Sequence, residues 1–368
     1  MGLIVLSVGS AAARSRCRER IEKLAGSTGD SESIQREAIA DLQRVIGFER
    51  WCLPAADPVT HLPLSGIADH DYGPMVPRLL ELEYSSDTFA AKHVIARSPN
   101  SAASLSAETT GDLARSTRWD EVMRPVGIGD VAAAACRDRL GCWGWIEAYR
   151  DRSDRPFEEA DLELLASAGA DLGRALRRGF AASLHGGGAE PEPPGVLVLD
   201  SELRVVSWTE TGRSWVDALP AAALFAQWGI VHPIVYPVAT RARSSRTVAM
   251  ARAVERAADG RLAIVEAAPL AGDGDGQVAV TIRSAAPGET FDLLCRAYGL
   301  TRREREVVGA VVMGLDTRAI TERLFISPYT VQDHLKSVFG KVGVHSRREL
   351  LATFSASAAD TDAESEAD

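Results

Sequence analysis

The sequence predicts a multidomain α+β chain in which two mixed α/β domains, at residues 31–182 and 195–286, precede an all-α four-helix module at 290–354. Three observations predict it. The C-terminal part is crowded with helix-start signals and helical apolar stripes. Ahead of it, β-rich runs alternate with helical ones. Between the β-rich stretches lies HGGGAEPEPPG, residues 185–195, a Gly/Pro segment that cannot continue a helix. A length of 368 residues suits two or three domains, and 46% hydrophobic residues suffices for folded cores.

The first domain opens with a helix from about Glu32 to Val45, followed by strand candidates FERWCL and VTHLPL. DVAAAACRD and CWGWIEAYR read as an antiparallel pair. Within the second of these, Trp143 and Trp145 alternate and are expected on one side of the sheet. FEEADLELLASAGADLGRALRRG closes the domain as an amphipathic helix with Leu165, Ala168, Leu172 and Leu176 on one face. That stripe is a candidate parallel dimer contact. A helix, strands and a closing FxxxDxxLL helix resemble a GAF domain.

After the Gly/Pro segment, GVLVL, a turn at Asp200-Ser201-Glu202, and LRVVSW read as a tight hairpin. Residues 210–243 lean helical, broken by Pro220, Pro233 and Pro237. VAMARAVER and RLAIVEAAPL flank a turn at Asp259-Gly260, and GDGDG leads into QVAVTIR, a three-strand meander. Two strands, a helical excursion and three strands resemble a PAS domain, and LVLDSELRVVSW is similar to a PAS opening, with Thr209 where asparagine is usual. Trp143, Trp145, Trp208 and Trp215 are candidates for an aromatic-lined effector pocket, with ordinary core packing as the alternative reading. SAAPGE, 284–289, is a second break before the last module.

In that module Thr301-x-x-Glu304 is a capping box, and Val307, Val308, Val311 and Val312 form the apolar stripe of the first helix, which ends at Gly314. Asp316 or Thr317 caps the second helix, which turns Ile320 and Leu324 inward. Ser327-Pro328 opens the third, with proline at a position where its missing N–H is not needed. Val331, Leu335, Val338 and Val342 must face the other helices, which leaves Gln332, Asp333, Lys336 and Ser337 outward. Ser346 to Glu349 repeats the box and starts a fourth helix, whose Leu350, Leu351 and Phe354 are candidates for a dimer contact beside DNA.

This is the pattern of a helix-turn-helix, whose second helix reads base edges with its exposed N-terminal half. Gln332 suits adenine N6 and N7, Lys336 suits guanine O6 and N7, and Asp333 can accept from cytosine N4 or simply be a solvated carboxylate that repels phosphate. Arg318, Tyr329, Thr330, Lys341 and Arg347 flank that face and suit phosphate contacts, as do Thr317 and Ser327 at the helix starts. From Ala297 to Phe354 nine Lys/Arg stand against six acids, a net of +3, while the whole chain carries −10. A basic module on an acidic body suits a protein that touches DNA with one end only.

Residues 300–350 resemble the LuxR/FixJ-type DNA-binding domain: LTRREREVV, GLDTRAIT and LFISPYTVQDHLKSVFGKVGVHSRREL follow its motifs in order and without gaps. The resemblance implies DNA contacts at Thr330, Gln332, Asp333 and Lys336 and packing at Val331, His334 and Leu335. Asp316, Ala319 and Thr321 depart from the usual serine, glutamate and alanine.

The expected function is a cytoplasmic transcription regulator that binds double-stranded DNA as a homodimer at a roughly palindromic operator. Its GAF-like and PAS-like body senses a small-molecule effector, and RNA polymerase is a partner open to such a protein. The competing class, an enzyme with a regulatory C-terminal module, lacks a P-loop, a G-x-S-x-G elbow and H-E-x-x-H. A phosphorylation-controlled response regulator would need an acidic receiver pocket, which neither half suggests. Five scattered cysteines with no C-x-x-C argue against a disulfide framework or zinc site and fit a reducing compartment. His61, His70, His93, His185 and His232 have no spacing that singles out a haem ligand, so the cofactor is unknown. No apolar run reaches membrane-span length. MGLIVLSVGSAAAR lacks the positive start of a secretory signal and reads as a small strand or a misplaced start. The last residues, 355–368, form an acidic tail expected to be disordered.

Overall fold

The computed structural model describes residues 9–27, 29–69, 72–85, 89–184, 192–244, 251–271 and 276–355. The opening apolar residues, His70, His185, most of the Gly/Pro segment, the start of VAMARAVER, most of GDGDG and the acidic tail beyond 355 lie outside them.

The first unit runs α1 (Ala11–Gly26), α2 (Ser31–Ile46), β1 (Arg50–Ala56), β2 (Pro63–Ala68), α3 (Val76–Ser85), α4 (Lys92–Ile95), β3 (Ala102–Ser104), α5 (Leu105–Glu108), β4 (Ile128–Asp138), β5 (Gly141–Asp151) and α6 (Glu159–Ser183). Its strands pair antiparallel in the order β2-β1-β5-β4-β3. The second unit runs β6 (Gly195–Leu199), β7 (Val205–Trp208), α7 (Glu210–Ala218), α8 (Ala222–Ala226), α9 (Val235–Ser244), β8 (Arg252–Arg256), β9 (Leu262–Pro269) and β10 (Val278–Ser284), in the order β7-β6-β10-β9-β8. Counted within each unit, both sheets have the same antiparallel order, 2-1-5-4-3.

α6 lies on one face of the first sheet, and α1 and α2 pack against α6. The helix α1 was hidden in sequence because its buried stripe is a single row, Cys17, Ile21 and Ala25, in an otherwise charged segment. α6 buries Leu165, Ala168, Leu172 and Leu176 against the sheet, so the stripe expected to pair with a second copy is already covered within the chain. Its glycines explain how close it lies. A Cβ on Gly169 would meet the Ala135 carbonyl oxygen at 2.6 Å, and one on Gly173 would meet the Arg137 amide at 2.7 Å.

A bulge corrects the expectation for the tryptophans. Cys136 pairs with Gly144 but Arg137 pairs with Cys142, so Trp143 is the extra residue and alternation is reversed across it. Trp143 packs on the helical side beside Phe180, at 5.9 Å between rings, while Trp145 lies on the other side among Ala90, Ala133, Ala135 and Ile95. Trp215 is buried in the second unit and donates to the Pro193 carbonyl, whereas Trp208 is 39% exposed under the Arg213 guanidinium. The four do not line one chamber.

The two units share polar and apolar contacts. Ser65 on β2 donates from its amide (2.7 Å) and hydroxyl (2.9 Å) to Glu255 on β8, and its Oγ lies 3.1 Å from His232 Nε2. Burial pushes the Glu255 carboxyl up and drives the His232 imidazole down to about 3, which leaves it neutral. Leu62, Leu80 and Tyr84 of the first unit join the core of the second.

The C-terminal module contains α10 (Pro287–Ala297), α11 (Arg302–Val312), α12 (Thr317–Leu324), α13 (Pro328–Val342) and α14 (Arg347–Ser355). The helix α10 begins inside the expected break at 284–289, fixed by an Arg283–Glu289 ion pair at 2.7 Å. Its Phe291 and Tyr298, just beyond its end, pack on Phe354, so Leu350 and Phe354 belong to the module's core and are not open to a second copy. Arg177 on α6 joins Asp138 (2.7 Å) to the Ala297 carbonyl (2.8 Å), and Arg296 donates to the Leu140 carbonyl (2.9 Å). These contacts hold the module on the β4–β5 turn.

Candidate nucleic-acid interface

Side-chain caps set the starts of the module's helices. Thr301 Oγ1 accepts from the Glu304 amide (3.3 Å) while the Thr301 amide donates to the Glu304 carboxylate (2.6 Å). Asp316, not Thr317, caps α12, taking the Ala319 amide at 2.7 Å. Ser327 caps α13 through the Thr330 amide (3.1 Å), and its hydroxyl lies 2.9 Å from that of Thr330. Ser346 accepts from the Glu349 amide (3.1 Å), and the glutamate reaches back to the His345 amide (2.8 Å). Thr321, where alanine is usual, turns its hydroxyl onto the Arg318 carbonyl of its own helix, 2.6 Å away.

The faces of α13 divide by burial. Val331, Leu335, Val338 and Val342 are buried, and Gln332, Asp333, Lys336 and Ser337 are exposed. Among the described residues Gln332, Asp333 and Lys336 make no hydrogen bond or ion pair, so their polar groups face water. Tyr329 stands out at 83% exposure. Arg318 pairs with Glu322 one turn on (3.1 Å), an exposed pair of the kind that contributes little energy.

Three more of the expected contact residues have partners within the module. Lys341 Nζ donates to both oxygens of Glu304 (2.7 and 2.6 Å), and Ser337 Oγ donates to one of them (2.7 Å). Burial alone would push the Glu304 carboxyl up, but the hydrogen bonds from Lys341, Ser337 and Thr301 hold it down at about 2. Arg347 donates to the Leu315 carbonyl and ties α14 to the α11–α12 turn. Sequence spacing puts Lys341 beside the outward face but could not show that Glu304, a capping residue 37 positions earlier, lies under it.

One residue of this surface escaped the sequence reading. Phe325, in the turn between α12 and α13, is 93% exposed and adopts a left-handed conformation, φ 54°.

Over residues 299–354 the chain matches the model of the family described as bacterial regulatory proteins, luxR family. Spore germination protein GerE of Bacillus subtilis is 42% identical over 52 residues, which cover 14% of this chain and 70% of that protein. This chain belongs to the luxR family. The monoamine regulon transcriptional regulator of Klebsiella aerogenes is 43% identical over 53 residues, covering 14% of this chain and 23% of that one. An HTH-type transcriptional regulator of Mycobacterium bovis is 49% identical over 57 residues, 15% of this chain. The likeness spans only 6% of that relative's length. The crystal structure of a phage VqmA–DPO complex overlaps 48% of this chain and 88% of that one at 17% identity, with a TM-score of 0.19, too low to assign a fold. The family match falls on residues 299–354, the C-terminal module that carries the helix-turn-helix. Among the described residues no helix is long and apolar enough to cross a membrane.

Proposed function

We propose that the chain reads a roughly palindromic operator as a homodimer, with Gln332, Lys336 and Asp333 on base edges and Thr317, Arg318, Ser327, Tyr329 and Thr330 on the backbone, under control of the two-sheet body. The observation that carries this is the division of α13: every apolar side chain of its inner stripe is buried, and the three side chains suited to base edges are exposed and unpaired among the described residues. A module net charge of +3 supports modest single-site affinity, for which two linked copies compensate. With the α6 stripe, Leu350 and Phe354 covered, the dimer contact lies on other surfaces, the half-buried Leu351 of α14 among them.

The body is read as a GAF-like unit followed by a PAS-like unit that binds a small-molecule effector and carries no catalysis, in a cytoplasmic protein that acts on RNA polymerase. What supports this is the shared 2-1-5-4-3 strand order and the helical excursion between the second and third strand of each sheet. Selection of binding sites from random duplexes by the purified full chain tests the DNA reading. A recovered inverted repeat with half-sites about 10 base pairs apart is expected, and recovery of no common sequence would contradict it. Ligand screening of residues 9–286 by thermal shift tests the sensory reading.

A further inference from the structure

Phe325 is the most exposed large apolar side chain among the described residues, and it occupies a backbone conformation that disfavours it. A left-handed φ brings Cβ against the backbone, which is why glycine commonly ends helices in this way. The same module uses glycine for this purpose three times, at Gly299 (φ 68°), Gly314 (φ 76°) and Gly343 (φ 78°). At the end of α12 the turn is built alike, with the Phe325 amide donating to the Thr321 carbonyl, yet the residue is phenylalanine. Neither burial nor backbone geometry accounts for the ring. Strain of this kind persists where the side chain has a use.

Position suggests the use. Two Cα steps, at most about 7 Å, separate Phe325 from Ser327, the cap of α13. The N-terminal half of that helix is the part that enters a major groove, so a side chain this close to its cap stands at the groove's lip, beside the sugar–phosphate strand. The ring has no donor for phosphate and no carboxylate to repel it. Tyr329, the second residue of α13 and almost as exposed, extends the same aromatic edge.

We propose that Phe325 packs its ring on deoxyribose at the edge of the groove, and so sets the depth at which α13 sits. The inference rests on the reading that α13 enters the groove. The contact is apolar, releases no counterions and is blind to sequence.

The test uses the full chain with Phe325→Gly and, as a second residue tolerant of this conformation, Phe325→Asn. Melting temperature and affinity for the selected operator and for a random duplex are measured at several salt concentrations. Both variants should melt at or above the wild-type temperature and bind each duplex about tenfold more weakly, as expected for uncovering part of a phenylalanine ring, with an unchanged salt slope. Unchanged affinity in the variants while the wild type binds would overturn the proposal and leave the base-reading face intact. Lower melting temperatures in both variants would also overturn it, by making the ring a structural element. A wild type that binds no duplex would overturn it together with the reading it rests on.

Discussion

Two lysines on one arc of α13 have different fates. Lys336 ends in solvent, whereas Lys341, 33% exposed along its side chain, closes a pair with Glu304 of α11. Lys341→Ala should therefore act first on stability: it leaves a buried carboxylate with fewer donors and should cost the module about 1–3 kcal/mol. Because Glu304 is held below its ordinary 4.5, down at about 2, its contribution is full above about pH 4.5 and is lost as pH falls toward 2. Denaturant titrations of wild type and Lys341→Ala should differ at pH 7 and converge through that acid window. A constant difference at every pH would contradict the assignment.

At the scale of elements, local rules and tertiary contacts can be told apart. The helices of the luxR-family module were legible because each begins with its own cap and carries a wide apolar stripe: Ser327-Pro328 and Val331 to Val342 state both the start and the inner face of α13. The helices α1 and α10 were missed because a narrow stripe and an Ala286 cap give little local signal. The opposite faces of Trp143 and Trp145 were illegible because a one-residue bulge between Cys142 and Gly144 is decided by pairing with β4, not by β5 itself. The glycines of α6 belong to the same class of information: in sequence they only weaken a helix, and in the fold they admit β4. Gly173→Ala should accordingly destabilise the first unit by about 1–3 kcal/mol through overlap with the Cys136–Arg137 backbone, although it raises helix propensity by about 1 kcal/mol. Thermal unfolding checks this, and a more stable Gly173→Ala protein would show that α6 sits farther from the sheet.

At the scale of the molecule, the β4–β5 turn of the body holds the DNA-binding module through Arg177 and Arg296, so the connection at 284–289 is a structured joint and not the loose break that its Ala/Pro composition suggests. Limited proteolysis should spare that segment in the wild type. Removing both grips with Arg177→Ala and Arg296→Ala should expose it to cleavage and uncouple the module's affinity from any ligand of the body. Equal cleavage rates in the two proteins would show that the body does not restrain the module.

The central claim is that the outward arc of α13 reads sequence. It is tested most directly by titrating wild type and Lys336→Ala, at one salt concentration, on the selected operator, on each of its single-base-pair variants and on a random duplex. Lys336→Ala should lose about 1–3 kcal/mol on the operator, lose less on the random duplex, and no longer discriminate at one base pair. Equal losses on every duplex, with the wild-type order of preference kept at all positions, would contradict it.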